Sequence, residues 1–147
     1  MRISLGYPSF AEEMSIIEQQ EQIHPINELR SVATPEDIID LQEACKNIYV
    51  DNTVREYIVS LIDATRNHEN VSLGASPRAS LGMFRAARGL AILRDRDYVI
   101  PDDIKELAYA VLAHRLILSP SARMRGLHTG QIISNLLESV PIPSTNH

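Results

Sequence analysis

The sequence predicts a mainly all-α protein, a helical bundle of about six helices with one or two short extended segments. Three observations carry that expectation. Apolar residues recur at helical spacing along most of the chain; Ile104, Leu107, Ala108, Val111 and Leu112 follow the template of one buried helix face. Helix starts are written out as caps and prolines, most plainly in Thr34-Pro35-Glu36-Asp37. A chain of 147 residues, 44% hydrophobic and 22% charged, has material for one core, and no repeat or low-complexity tract divides it.

The elements follow in order. Residues 9–20 open with a capping box, Ser9 with Glu12 three residues on, and Phe10, Met14 and Ile17 mark an apolar stripe. Residues 21–33, which include His24-Pro25, lose periodicity and read as a loop. Beyond Thr34 a second helix carries Ile38, Leu41, Cys45 and Ile48, with Cys45 expected as a buried, inert thiol. A third helix runs over about residues 51–67 with Val54, Ile58, Leu61, Ile62 and Thr65 inward, and residues 68–74 form a loop. The helix after Ser76 holds Leu81, Phe84, Ala87, Leu90, Ala91 and Leu93 as apolar positions. It also holds Gly82 and Gly89, which suggest close approach by neighbours. Arg94-Asp95-Arg96-Asp97 reads as a solvated turn, and Tyr98-Val99-Ile100 as a short extended piece before the Pro101-Asp102-Asp103 helix start. There the two acids read as helix-dipole partners, and His114-Arg115 reads as favourable positive charge at the far end. Leu116-Ile117-Leu118 is a second extended piece, stopped by Pro120. The last helix covers about residues 129–139 and presents Ile132, Ile133, Leu136, Leu137 and Val140 on one face.

Several function classes are excluded. The net charge of −5 argues against a dedicated nucleic-acid binder or a helix-turn-helix reader. No apolar run approaches the roughly 18 residues of a membrane span, so no membrane insertion is expected. The N-terminus makes a poor signal peptide. Cys45 is the only cysteine, which fits a reducing, cytoplasmic setting. The five histidines show no metal-ligand spacing, so no metal site is expected, and no nucleophile elbow surrounds a serine. Lys46 precedes Asn47 and Lys105 precedes Glu106, so neither lysine belongs to a phosphate-cradling loop.

One stretch stands out, Gly74-Ala75-Ser76-Pro77-Arg78-Ala79. Ser76 is a good N-cap and Pro77 suits the first helical position. Arg78 then falls in the first turn, where the helix dipole disfavours a cation by roughly 0.3–1 kcal/mol. It reads either as a solvated surface arginine or as part of an anion site at a helix N-terminus. Arg85 and Arg88, seven and ten residues on, lie roughly on the same side. They form either a solvated basic stripe or an electropositive edge facing another subunit or a nucleotide.

In order along the chain stand Arg2-Ile3-Ser4-Leu5-Gly6-Tyr7-Pro8, Gly74-Ala75-Ser76-Pro77-Arg78-Ala79, Arg96-Asp97-Tyr98-Val99-Ile100-Pro101-Asp102-Asp103-Ile104 and His114-Arg115-Leu116-Ile117-Leu118-Ser119. This series resembles the MoxR family of AAA+ ATPases, from Arg2 to about Pro143. The resemblance implies the C-terminal part of such an ATPase. Residues 1–8 would be the last strand of its α/β core, residues 9–143 its helical lid and residues 144–147 a tail. Arg78 would match the sensor arginine that reaches the γ-phosphate of ATP, with Ser76 and Pro77 positioning it and Arg85 as a further candidate. ATP and Mg would be bound by the complete protein, whose Walker motifs lie outside these residues; the piece alone would not hydrolyse ATP. The implied partners are its own core domain, neighbouring ring subunits and a von Willebrand factor A-domain protein. The family's usual threonine cap is replaced here by Ile100. A free-standing helical interaction module is the alternative.

Overall fold

The computed structural model describes residues 1–20 and 24–143, so the expected tail at 144–147 lies outside the described residues. Seven α-helices and one two-stranded antiparallel sheet are found among them. The helices are α1 (Phe10–Gln19), α2 (Pro35–Asn47), α3 (Asn52–Arg66), α4 (Pro77–Leu93), α5 (Pro101–Leu112), α6 (Pro120–Met124) and α7 (Thr129–Ser139). The strands are β1 (Val71–Leu73) and β2 (Ile117–Leu118), and single 3-10 turns occupy Pro25–Glu28 and Ala113–Arg115.

The expected starts are built from the expected residues. Ser9 and Glu12 close a capping box on α1, the Ser9 amide donating to Glu12 at 2.7 Å. Thr34 and Asp37 do the same for α2. Asp51 caps α3 by accepting from the Thr53 amide at 2.8 Å. A helix begun this way satisfies amides that would otherwise lack partners.

The chain forms two compact units, Ile3–Gln42 and a larger one made of Met1–Arg2 with the chain from Glu43 onward. Neither α1 nor α2 contains a buried residue. Phe10, Met14, Ile17, Ile38 and Leu41 are all exposed, and Cys45 is only half-buried. Their helical periodicity is real, but no element of the smaller unit covers the stripe.

The core belongs to the larger unit. From α3 it takes Val54, Tyr57, Ile58, Leu61, Ile62 and Thr65, the expected inward set together with Tyr57. From α5 and α7 come Ile104, Ala108, Val111, Leu112, Ile132, Ile133 and Leu136. Helix α4 packs most extensively against α5 and next against α3. Its buried positions are Ala79, Met83, Ala87 and Ala91, a four-residue period of mostly small side chains that brings the axes together. Leu81 and Leu93 are exposed, because this stripe leaves them on other faces. The glycines of α4 do not mediate the approach. A Cβ at Gly89 would meet nothing within 4 Å, and one at Gly82 would only touch Val111 at 4.0 Å.

Three further expectations change. The segment expected as a loop after α3 contains β1, whose Val71 and Leu73 stand opposite Leu118 and Ile117 of β2. Pro120 ends β2 and also opens α6, where Ser119 caps by accepting from Ala122 at 3.3 Å. The charged turn at residues 94–97 is not merely solvated. Arg96 forks onto Asp103 with its Nη1 and Nη2 at 3.0 and 2.6 Å, and Arg94 reaches the same carboxylate at 3.3 Å. Asp103 has no exposed surface, so it is an ion-pair centre joining the end of α4 to the start of α5. At the far end of α5, Arg115 donates to the Val111 carbonyl at 3.0 Å, as its position predicts. Desolvation and the neighbouring Arg115 charge lower the His114 imidazole from its ordinary value.

Residues 1–8 form no strand. Within the larger unit, the Arg2 amide donates to the Ala110 carbonyl at 2.8 Å.

Candidate functional site

Helix α4 begins where the sequence places it, with Ser76 extended at φ −79°, ψ 167° and Pro77 at the first helical position. Its cap differs from expectation. The Ser76 hydroxyl makes no capping hydrogen bond; its carbonyl accepts from the Ala79 amide at 2.8 Å. The start of α4 is held from outside the helix.

The hold comes from the end of α3. Thr65 has no exposed surface, and its hydroxyl accepts from the Ala75 amide at 2.9 Å while donating to the Ile62 carbonyl at 2.6 Å. Arg66 Nε donates to the Ala75 carbonyl at 2.9 Å. Ala75, itself 1% exposed, is thus bonded through both of its backbone polar groups. Gly74 is required beside it, since a Cβ there would stand 2.6 Å from Arg66 Cα. Sequence reasoning placed Thr65 in the core but missed what its hydroxyl does. The available signal was a buried threonine at a helix end facing a glycine-led segment.

From this anchored start Arg78 emerges into solvent. No hydrogen bond or ion pair to another side chain occupies its guanidinium among the described residues. Arg85 is also exposed and unpaired, two turns further and about 10 Å along the axis. Arg88 is a different case. Its guanidinium lies 4.5 Å from the Phe84 ring centroid, and its Nε is buried without a partner. The structure therefore places Arg78 and Arg85 on one exposed side and draws Arg88 onto the helix surface. An open groove of about 430 Å³ between α3 and α4 is lined by Arg55, Ile58, Val59, Ser80, Leu81 and Phe84, which accounts for the exposure of Leu81.

Chemically, a guanidinium at a helix N-terminus combines a fixed charge and forked donors with the positive end of the dipole. That set suits an oxyanion, and phosphate above all. No cluster of three or more histidine, cysteine or acidic residues suited to a metal occurs among the described residues. No described helix is long and apolar enough to cross a membrane.

The AAA lid domain family matches residues 63–136, which contain α4 to α6, both strands and all of the Thr65–Arg78 segment. The chain is 42% identical over 142 residues to the uncharacterised protein YeaC of Bacillus subtilis, covering 97% of this chain and 44% of that protein. It is 38% identical over 154 residues to the chaperone MoxR1 of Mycobacterium tuberculosis, covering 99% of this chain and 40% of that one. An ATPase candidate from Cytophaga hutchinsonii, solved as a crystal structure, superposes with a TM-score of 0.87 at 29% identity, over 95% of this chain and 45% of that chain. The chain belongs to the MoxR family of AAA+ ATPases and carries the AAA lid domain at residues 63–136. It spans less than half the length of these relatives.

Proposed function

We propose that this lid supplies one half of an ATP site, with Arg78 as the sensor of the terminal phosphate. The observation that carries the reading is the state of Arg78: a solvent-facing cation, without a carboxylate partner among the described residues, at a helix start gripped by the neighbouring helix. By contrast Arg94 and Arg96 are engaged by acids and Arg88 by the Phe84 ring. The fit to nucleotide is partial, because these 147 residues contain no Gly-Lys-Ser/Thr loop to bind the phosphates themselves.

When bound in the core domain, ATP with Mg brings the phosphoryl group whose developing charge needs stabilising. Arg78 donates its forked N–H groups to that charge. Ser76 and Pro77 set the geometry of the first turn from which it emerges. Arg85, two turns on, faces a neighbouring ring subunit or a more distant part of the nucleotide. Contact with phosphate couples the lid's angle to nucleotide state, a hinge motion between rigid parts. The natural partners are the core domain and adjacent ring subunits. The name of the mycobacterial relative supports chaperone-like remodelling of client proteins; von Willebrand factor A-domain clients and a cytoplasmic setting are proposed on the sequence resemblance alone.

The test is Arg78→Ala in the complete ATPase. Turnover at saturating ATP should fall by about tenfold to a hundredfold while the lid stays folded by circular dichroism. Wild-type turnover in that variant would remove the assignment.

A further inference from the structure

Two side chains adjacent in sequence hold one residue from both sides. Thr65 takes the Ala75 amide and Arg66 the Ala75 carbonyl, each at 2.9 Å. Both bonds join the last turn of α3 to the residue immediately before the cap of α4, three positions ahead of Arg78. The Thr65 hydroxyl is itself fixed, since its proton goes to the Ile62 carbonyl and its lone pair to Ala75. Threonine is stiff at χ1, and a buried bond of this kind is costly to leave unmade. Gly74 closes the arrangement by letting the backbone lie directly on Arg66. Helix α4 contributes no side-chain cap of its own.

We propose that Thr65 and Arg66 are positioning residues for Arg78. They make the end of α3 and the first turn of α4 one body, so that the backbone from which the Arg78 side chain departs is fixed and moves only as α3 moves. The proposal rests on the reading of Arg78 as a phosphate sensor. Its consequence is kinetic, because a catalytic group misplaced by about 1 Å can lose a hundredfold in rate. A clamp that served stability alone would leave turnover unchanged below the unfolding midpoint.

The variants are Thr65→Val, which keeps the shape and removes both hydrogen bonds, and Thr65→Ser, which keeps the hydroxyl. In the complete ATPase, assayed well below its unfolding midpoint, Thr65→Val should lower kcat by about tenfold with a smaller change in KM for ATP. Thr65→Ser should recover kcat to within about twofold. The double variant Thr65→Val/Arg78→Ala should be no slower than Arg78→Ala alone, since a residue acting through Arg78 has nothing left to position. Losses that multiply overturn the proposal.

A second readout does not depend on turnover. A nitroxide attached at position 78 of the complete ATPase through Arg78→Cys, with Cys45→Ser and serine at any cysteine outside these residues, reports the mobility of the first turn. Its motion should increase in Thr65→Val and in Arg66→Met, and return toward the original in Thr65→Ser. Unchanged mobility in the first two overturns the clamp. If Arg78→Ala turns over ATP normally, the sensor reading fails, and the nitroxide still decides whether Thr65 and Arg66 fix the start of α4.

Discussion

Arg96 and Asp103 form a forked ion pair across the turn between α4 and α5, with both guanidinium Nη atoms within 3.0 Å of a carboxylate that has no exposed surface. Asp103 also accepts the Ile100 amide at 3.0 Å, so a single side chain closes the turn and starts α5. Burial alone would raise its carboxyl. The hydrogen bonds from Arg96 and Ile100, together with the charges of Arg96 and Arg94, outweigh burial and hold it below the ordinary aspartate value.

Stability should therefore depend on Asp103 and on acid. Asp103→Asn should cost about 3 kcal/mol at neutral pH, the low end for a broken buried pair because Arg96 keeps some access to water. A carboxylate depressed by folding adds stability above its unfolded value near 3.9 and loses it as pH falls through the folded value. The wild-type chain should lose this contribution below about pH 4, and the variant should not. Urea unfolding at pH 7 and pH 3 measures both; an equal loss on acidification in the two proteins would contradict the assignment.

Two glycine replacements should act in opposite directions. Gly74→Ala puts a methyl group 2.6 Å from Arg66 Cα, and a clash with backbone should destabilise by about 1–3 kcal/mol. Gly89→Ala meets nothing within 4 Å inside α4 and should stabilise by about 0.5–1 kcal/mol. Thermal melts of the two single variants should fall on either side of the wild type.

The start of α5 can be improved. Ile100 has the extended geometry of a cap residue, φ −113° and ψ 158°, without a side chain that can accept a hydrogen bond. Ile100→Thr supplies that acceptor for the Asp103 amide at small cost in buried methyl surface. The expected gain is about 0.5–1 kcal/mol, read as a raised melting temperature. A lowered one would show that the packing of Ile100 outweighs the cap.

Much of this fold was legible because helix starts are local chemistry. Ser9 with Glu12 and Thr34 with Asp37 need only three residues of separation, and both form as written. Arg78 was legible for the same reason, through a proline-led start that fixes its turn. Ser76 was misleading, since the α3 clamp anchors the segment and the hydroxyl is left without a capping bond. The apolar stripes of α1 and α2 were equally readable as stripes. Whether a stripe is covered depends on what lies opposite, and no residue of either helix is buried.

The burial of Asp103 was hidden among ordinary first-turn acids, because its partners come from the end of the preceding helix. Leu81 and Ala87 show the same limit. Periodicity marked both as apolar, but the approach of α5 selected the small Ala79-Met83-Ala87-Ala91 face and left Leu81 beside an open groove.

By itself the sequence determined the helical class, the main helix starts, the place of Arg78 in a first turn and the absence of a phosphate-binding loop. Each follows from interactions spanning at most a turn or from residue types present or missing. Only the tertiary structure decided that α3 grips Ala75 through Thr65 and Arg66, that Asp103 lies buried between two arginines, and that neither α1 nor α2 buries a residue. Those outcomes depend on which surfaces meet after the chain has folded, and neither pattern nor propensity carries that information.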